Sequence, residues 1–308
     1  MRAPRLPAAI AAVSAAALLL SPSAFTQTTG TPASGDFSGL VELPNGHRLY
    51  LECHGTGTPT VVFEAGLRGR GDSWNYSALE GYGSGVLPRV AGFTHACIYD
   101  RPGTLLGSAA ESRSDPVPMP RSTGEVVDDL HALLSTAGVP GPYVIAGAST
   151  GGLVARQYAG RYPTEVAGLV LVDAISEALQ WLLGPVRFER YNLYYLQSAS
   201  PEAAGYPNLE SIDFYRSFAE VRAGPMPPRR LPQVVISSDR GFAIQAGVTG
   251  QFAHVVNRSW KRSQAYLASR GPRIRRLTAV GSGHQIGSNR PGLVARLVRQ
   301  MVFAPIRR

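Results

Sequence analysis

Short apolar runs alternate with amphipathic stretches along most of this sequence, and this alternation constrains the fold more than any other feature. The runs are rich in β-branched residues and nearly continuous in hydrophobicity, which is typical of parallel strands covered on both faces. Strands that alternate with helices form a layered sheet. We therefore predict an α/β fold with a mostly parallel central sheet. The predicted strands are residues 40–43, 48–53, 60–63, 96–99, 143–146, 168–172 and 233–237, and the predicted helices are residues 122–137, 152–162, 254–270 and 292–303.

The composition is that of a globular protein. Of the 308 residues, 44% are hydrophobic and 17% are charged, so the chain can bury a full core and differs from the charge-rich sequences that stay disordered. The sequence has no collagen-like period, heptad or longer repeat, which excludes fibrous and solenoid architectures. The function is therefore expected to depend on a site of a globular domain.

The N-terminus has the pattern of an export signal. Arg2 and Arg5 precede an apolar run over residues 6–20, and small residues follow it. This order is typical of a secretory signal peptide. The alternative is an uncleaved membrane anchor, but the run is shorter than the roughly 20 residues that a spanning helix needs. We predict a signal peptide at residues 1–24, a flexible spacer at residues 25–38 and one domain at residues 39–308, which is secreted or periplasmic.

One long segment interrupts the alternation of strands and helices. Residues 174–231 contain no predicted strand but are rich in aromatic side chains. We expect an inserted helical cap over a binding pocket, and the alternative is a peripheral helical subdomain with its own small core. The aromatic residues are Trp181, Phe188, Tyr191, Tyr194, Tyr195, Tyr206, Phe214, Tyr215 and Phe218.

The strongest functional signal is a serine between a predicted strand and a predicted helix. Residues 147–151 form a G-x-S-x-G pattern centred on Ser149. A serine in a sharp strand-to-helix turn needs residues without bulk two places before and after it, and Gly147 and Gly151 meet that need. The helix that follows directs its N-terminal dipole towards negative charge on a substrate. We therefore predict that Ser149 is a nucleophile.

The motifs around this serine resemble those of the α/β-hydrolase superfamily in content and order. An E-A-G turn at residues 64–66 is followed by D-R-P-G at residues 100–103, then by the serine motif, a strand that ends in Asp173, and a late G-S-G-H at residues 281–284. The resemblance covers nearly the whole predicted domain. It implies the α/β-hydrolase fold, with helices on both faces of the sheet and a helical cap. The sequence departs from the pattern at Ala148, where similar proteins usually carry a histidine.

The resemblance implies a base and an acid that would activate the serine. The base is His284, which would accept the proton of Ser149. A carboxylate at a strand end must then orient the imidazole and stabilise its charged form. Asp173 and Asp239 both follow predicted strands. Asp173 is the preferred candidate, because Asp239 precedes Arg240 and can pair with it, but both remain candidates.

The negatively charged oxygen that forms during such an attack needs two preorganised hydrogen-bond donors. The resemblance implies two backbone N–H groups, that of Thr150 directly after the serine and that of Leu67 after the turn formed by Ala65 and Gly66. Glu64 precedes this turn and can be mistaken for a general acid. We expect it instead to hold the loop through hydrogen bonds to the backbone.

The chain has two cysteines, Cys53 and Cys97. They lack the spacing of a CxxC motif, so we expect no metal site. The resemblance implies that their strands are neighbours in the sheet, and an exported protein meets an oxidising compartment in which such a pair can close. We therefore predict a disulfide, and two small buried thiols are the alternative.

Positive charge is concentrated near the C-terminus. The net charge is +9, and residues 241–308 carry basic residues but no acidic one. Nucleic-acid or anionic-surface binding is one interpretation. We favour solvated helix faces, because the basic residues are spaced among apolar ones and because Lys261 is the only lysine of the chain, which indicates a compositional bias towards arginine. No nucleic-acid partner is expected.

These features predict an exported serine hydrolase that cleaves carboxylic esters through an acyl-enzyme on Ser149, without a metal or other cofactor. The expected substrate is a small-molecule ester with an apolar portion. One alternative is a non-catalytic binding protein of the same fold. The other is an aminopeptidase or amidase of this fold, in which a carboxylate of the cap would hold the substrate amine; the candidates are Glu177, Glu189, Glu202, Glu210, Asp213 and Glu220.

Overall fold

The structure is a computed structural model and describes residues 35–107, 110–241 and 248–304, without the side chains of Pro201 and Glu202. The predicted signal peptide and most of the predicted spacer lie outside these residues. Within the described ranges, every helix is too short or too polar to cross a bilayer.

A single eight-stranded sheet forms the centre of the molecule, with strands in the order β1-β2-β6-β3-β9-β10-β11-β12. The pairs β1-β2 and β2-β6 are antiparallel and the other pairs are parallel, which confirms the predicted sheet. Two short hairpins, β4-β5 and β7-β8, lie outside it. The strands are β1 (Phe37–Glu42), β2 (Arg48–His54), β3 (Thr60–Glu64), β4 (Tyr76–Ser77), β5 (Gly81–Tyr82), β6 (Ala96–Tyr99), β7 (Leu105–Leu106), β8 (Ala110–Glu111), β9 (Tyr143–Ala148), β10 (Val166–Val172), β11 (Gln233–Ser238) and β12 (Ile274–Ala279).

Helices cover both faces of the sheet. They are α1 (Val86–Ala91), α2 (Thr123–Thr136), α3 (Thr150–Arg161), α4 (Ala178–Leu183), α5 (Pro185–Tyr191), α6 (Pro201–Ala204), α7 (Phe214–Ala223), α8 (Gly250–Ala268), α9 (Ile286–Asn289) and α10 (Pro291–Val302). A 3-10 helix (Gly71–Asn75) and a π-helical turn (Asn192–Gln197) complete the set.

The core has two layers because successive strand residues point to opposite faces. On β9, Ile145 belongs to the apolar cluster that contains residues of α2, α3 and α8. Its neighbours Val144 and Ala146 belong to the cluster that contains residues of α1 and α10. These strands are therefore covered on both sides, which explains why their sequences are nearly continuous in hydrophobicity.

The residues between β10 and β11, called here the inserted segment (residues 174–231), form α4 to α7 and the π-helical turn. Phe188, Phe214 and Phe218 are buried, and the ring of Phe218 lies beside the rings of the other two. Tyr191, which belongs to the same apolar cluster, and Tyr195 line a cavity beside the sheet. The aromatic residues of the segment thus serve two purposes, one in packing and one at the cavity.

The predicted disulfide is present. Cys53 on β2 and Cys97 on β6 face each other in the antiparallel register, and their sulfur atoms are bonded, with the Cα atoms 4.0 Å apart. Both residues are completely buried. The bond therefore joins the antiparallel part of the sheet to its parallel part.

Candidate active site

Ser149 lies at the sharp turn between β9 and α3. Its backbone has φ 51° and ψ −116°, a conformation that residues other than glycine rarely adopt. A Cβ atom at Gly147 would come within 2.4 Å of Gly151 O, and one at Gly151 would come within 2.3 Å of Glu64 O. Both positions therefore need glycine. The turn is attached to the neighbouring strand, because Ser149 N donates to Val172 O over 3.0 Å.

His284 and Asp173 form a hydrogen-bonded pair. His284 Nδ1 lies 2.7 Å from Asp173 Oδ2, and the other carboxylate oxygen accepts from Ser238 N over 2.9 Å. Asp173 is completely buried and has a φ of 43°. Since a carboxylate accepts the hydrogen bond, we assign the imidazole proton to Nδ1, which leaves Nε2 as the basic nitrogen. The ring lies edge-on to Trp260, with centroids 5.4 Å apart.

Asp239, the other candidate acid, lies in a different position. It is exposed, its Oδ2 accepts from Gly281 N over 3.0 Å, and its own N–H donates to Ser282 O over 3.0 Å. It thus holds the loop that precedes His284 and is not the imidazole's partner. Of the two candidates, the structure brings Asp173 to His284.

Ser149 and His284 line the same cavity of about 700 Å³. Its walls are mainly aromatic and aliphatic side chains. Among the described lining residues, Arg68 is the one arginine, and there is no lysine. No aspartate or glutamate belongs to the described lining. The apolar and aromatic lining residues are Leu67, Trp74, Tyr76, Tyr82, Leu106, Val172, Tyr191, Tyr195, Leu196, Trp260 and Ile286.

Leu67 and Thr150, the residues predicted to bind an oxyanion through their N–H groups, also line this cavity. Thr150 is the first residue of α3. Leu67 follows Gly66, where an added Cβ would lie 3.5 Å from Ser149 Cβ, so the loop after β3 passes directly beside the serine. Leu67 and Thr150 thus border the same cavity as Ser149.

A sequence-family comparison identifies the fold independently. The family model described as the alpha/beta hydrolase fold matches residues 59–271, which is more than half of the chain. The chain belongs to the alpha/beta hydrolase fold family. Its sequence is 39% identical over 98 residues to an uncharacterized protein of Schizosaccharomyces pombe, and the match spans 32% of this chain and 17% of that protein.

Solved structures agree with this membership of the alpha/beta hydrolase family. Alpha/beta hydrolase domain-containing protein 10 from mouse superposes with a TM-score of 0.59 and 15% identity, covering 86% of this chain and 98% of that one. A thermophilic esterase from Thermogutta terrifontis gives a TM-score of 0.51 and 18% identity, covering 85% and 97%. At these identities the likeness concerns the fold.

A network of buried charges in this hydrolase was not predicted from the sequence. The guanidinium group of Arg101 lies between the carboxylates of Glu64 and Glu210, and all three side chains are almost fully buried. Burial lowers the pKa of Arg101, but attraction to Glu210 and Glu64 outweighs burial and raises this pKa well above its usual value. Arg101 is therefore permanently charged.

The contacts of Glu64 differ from the predicted hydrogen bonds to the backbone. Its carboxylate accepts from the Tyr99 hydroxyl over 2.5 Å and from Arg101, which are side-chain partners and not backbone N–H groups. Arg101 in turn donates to the backbone carbonyls of Ala65 and Gly66 over 3.0 and 2.7 Å. The loop is thus attached through Arg101 of the D-R-P-G motif, to which the sequence assigned no role.

One group of three potential metal ligands occurs among the described residues. The ligand atoms of Cys53, His95 and Cys97 lie within 4.8 Å of one another. Metal ions bind thiolates, and the two sulfurs here are bonded to each other, so His95 offers the one available ligand atom. None of the three lines the cavity that contains Ser149. That the reaction needs no metal stays a prediction.

Proposed function

We propose that this chain is an exported serine hydrolase that cleaves carboxylic esters through an acyl-enzyme on Ser149. The observation that carries the proposal is the hydrogen bond between His284 Nδ1 and Asp173 Oδ2 beside a cavity that Ser149 also lines. A base that is oriented by a buried carboxylate and shares a cavity with a strained serine is the arrangement that nucleophilic catalysis requires.

In the proposed reaction, His284 Nε2 takes the proton of the Ser149 hydroxyl as the oxygen attacks the ester carbonyl. Asp173 holds the imidazole in the required tautomer and stabilises its protonated form. The protonated imidazole then gives its proton to the departing alcohol, which leaves the acyl group on Ser149. Water, activated by the same imidazole, attacks the acyl-enzyme and restores the serine.

The tetrahedral intermediates carry negative charge on the former carbonyl oxygen. We propose that the N–H groups of Leu67 and Thr150 bind this oxygen. Two features support this role, because both residues line the cavity and because Thr150 begins α3, whose N-terminal dipole favours negative charge. Each such donor typically contributes about 3 kcal/mol to transition-state stabilisation.

The cavity lining favours an ester with an apolar portion over the amine of a peptide. An aminopeptidase needs a carboxylate that binds the substrate ammonium, and no aspartate or glutamate belongs to the described lining. Five of the six candidate acids have described side chains that already contact other groups. These contacts are Glu177 with Arg156, Glu189 with Tyr215, Glu210 with Arg101, Asp213 with Arg216 N, and Glu220 with Arg216.

Export is the second part of the proposal. The disulfide between Cys53 and Cys97 supports it, because such bonds persist in oxidising compartments. The signal-like residues 1–24 support it as well.

The Thermogutta esterase shares the fold, which agrees with ester hydrolysis.

The direct test is a series of p-nitrophenyl esters from acetate to decanoate, hydrolysed by the wild type and by Ser149→Ala. We expect the wild type to hydrolyse them, and Ser149→Ala to lose at least about 10⁴-fold in kcat at an unchanged thermal midpoint, because the nucleophile is missing. An amino-acid p-nitroanilide serves as the control substrate for the peptidase alternative. Equal ester hydrolysis by both proteins, or turnover of the anilide alone, would contradict the proposal.

A further inference from the structure

The loop between β3 and the 3-10 helix is held in an unusual conformation. Arg68, in the middle of this loop, has a φ of 59°, and residues other than glycine remain in this region only where surrounding contacts hold them. Two contacts hold its backbone. Arg68 O accepts from Leu105 N over 2.8 Å, and Arg68 N donates to Glu210 Oε2 of the inserted segment over 2.5 Å. Glu210 is almost completely buried. A carboxylate of the inserted segment therefore holds the backbone directly after Leu67.

Arg101 connects the same carboxylate to the preceding part of the loop. Its Nε donates to Glu210 Oε1 over 2.6 Å and its Nη2 to Glu210 Oε2 over 3.1 Å. The same Nη2 donates to Gly66 O over 2.7 Å, while Nη1 donates to Ala65 O and to Glu64. The five N–H donors that an arginine offers thus all have acceptors. The side chain is fixed between the loop and the inserted segment.

The hydrogen bond to Gly66 O has a consequence for Leu67. Gly66 C=O and Leu67 N–H belong to one peptide unit, which is planar and in which these two groups point in opposite directions. Gly66 O also accepts from Gly69 N over 2.9 Å, so Arg101 and this hydrogen bond within the loop together set the direction in which the Leu67 N–H points. Leu67 lines the cavity together with Ser149, so this N–H belongs to the proposed oxyanion site.

A second attachment runs from the loop to the inserted segment. The guanidinium group of Arg68 donates to the backbone carbonyls of Leu196, Gln197 and Ser198 at the end of the π-helical turn. Carbonyls at the end of a helix lack partners within the helix and favour a cation. Leu196 lines the cavity as well. The wall of the cavity and the loop beside the serine are therefore joined at two points.

We propose that Glu210 and Arg101 are positioning residues that aim the Leu67 N–H at the oxyanion, so that the oxyanion site is complete only while the inserted segment is docked on the loop. This inference rests on the proposed function and extends it to residues that do not line the cavity. The inserted segment would then contribute to turnover by positioning the Leu67 N–H, in addition to forming a wall of the cavity.

The test compares Glu210 with Glu177, a second buried carboxylate of the inserted segment. Glu177 pairs with the buried Arg156 over 2.8 Å and lies outside the cavity lining. We expect Glu210→Ala to lower kcat on p-nitrophenyl butyrate by about 10² to 10³-fold, the effect of losing one oxyanion donor, with KM within about threefold of wild type. Glu177→Gln should lower the thermal midpoint and keep the wild-type kcat.

A readout independent of turnover separates positioning from a merely structural role. Phenylboronic acid forms a tetrahedral adduct with an active serine, so its affinity depends on the oxyanion site. We expect Glu210→Ala to weaken this affinity by the same factor as kcat, and Glu210→Gln, whose amide oxygen still accepts a hydrogen bond, to restore part of both. Glutamine has nearly the same size as glutamate. If Glu210→Ala does not fold, the kcat and the boronate affinity are therefore compared between Glu210→Gln and the wild type.

The outcomes distinguish this inference from the proposed function. If the wild type shows no ester hydrolysis that Ser149→Ala abolishes, the proposed function fails and the inference fails with it. If the wild type hydrolyses the ester through Ser149 but folded Glu210→Ala or Glu210→Gln keeps the wild-type kcat and boronate affinity, only the inference is overturned. A kcat loss of equal size in Glu177→Gln would also overturn it, because the effect would then follow from any broken buried ion pair.

Discussion

Asp173 and Asp239 follow two neighbouring parallel strands, β10 and β11, yet their surroundings differ. Asp173 is completely buried, its backbone has a positive φ, and its carboxylate contacts His284. Asp239 is exposed and contacts the backbone of Gly281. Both positions satisfy the condition of a carboxylate at a strand end, so that condition alone does not identify a catalytic acid.

The order of the strands explains the difference. β10 lies next to β9, which ends at the serine turn, whereas β11 lies one strand further away and β12 beyond it. The loop after β12 must therefore cross the end of β11 to bring His284 to Asp173. Asp239 lies at this crossing and binds the loop at Gly281 and Ser282. One aspartate orients the imidazole, and the other supports the loop that delivers it.

The largest expected effect is that of Asp173→Asn. The amide keeps the size of the side chain but does not stabilise a protonated imidazole and can favour the wrong tautomer, so we expect kcat to fall by about 10⁴-fold. The measurement is the kcat for p-nitrophenyl butyrate with the folded state checked by circular dichroism. A loss of less than about tenfold would remove Asp173 from the proposed mechanism.

A much smaller effect is expected for Asp239→Ala. This change removes the acceptor of the Gly281 N–H but leaves the pair of His284 and Asp173 intact, so we expect kcat to fall by no more than about tenfold. The same assay run in parallel with Asp173→Asn checks it. If Asp239→Ala were the more damaging change, the roles assigned to the two acids would be reversed.

The smallest effect concerns the stability of Asp239→Ala. An exposed hydrogen bond of this kind contributes about 0.5–1.5 kcal/mol to the free energy of unfolding, and we expect a loss in this range by urea denaturation. A markedly larger loss would show that the loop crossing β11 stabilises the whole fold and does more than position His284.

The regular part of the fold could be predicted because its signals are local. Strand 96–99 is found with the predicted bounds, and strand 143–146 is extended by two residues. Helix α8 begins four residues earlier than predicted, because Thr249 caps it by accepting from Phe252 N. Periodicity identifies the buried face of a helix but is weak at its ends, where one capping side chain decides the first turn.

Parts of the candidate site could not be predicted, because they depend on contacts between distant residues. Arg101 and Glu210 are separated by 109 positions, and neither has a local pattern that indicates the other. The short β4-β5 hairpin, whose Tyr76 and Tyr82 line the cavity, is too short to show an alternating pattern. Ser149 and His284 were recognisable because glycine-rich motifs surround them, which reflects the tight backbone turns at those positions.

The central claim is that Ser149 is the nucleophile activated by His284 and Asp173. Its most direct test is to react the protein with diethyl p-nitrophenyl phosphate, which phosphorylates activated serines, and to locate the adduct by peptide mass spectrometry. The account predicts one diethylphosphoryl group per chain, bound to Ser149, and labelling that is at least about 10³-fold slower in Asp173→Asn. A label on another residue, or equally fast labelling of Ser149 in Asp173→Asn, would contradict it.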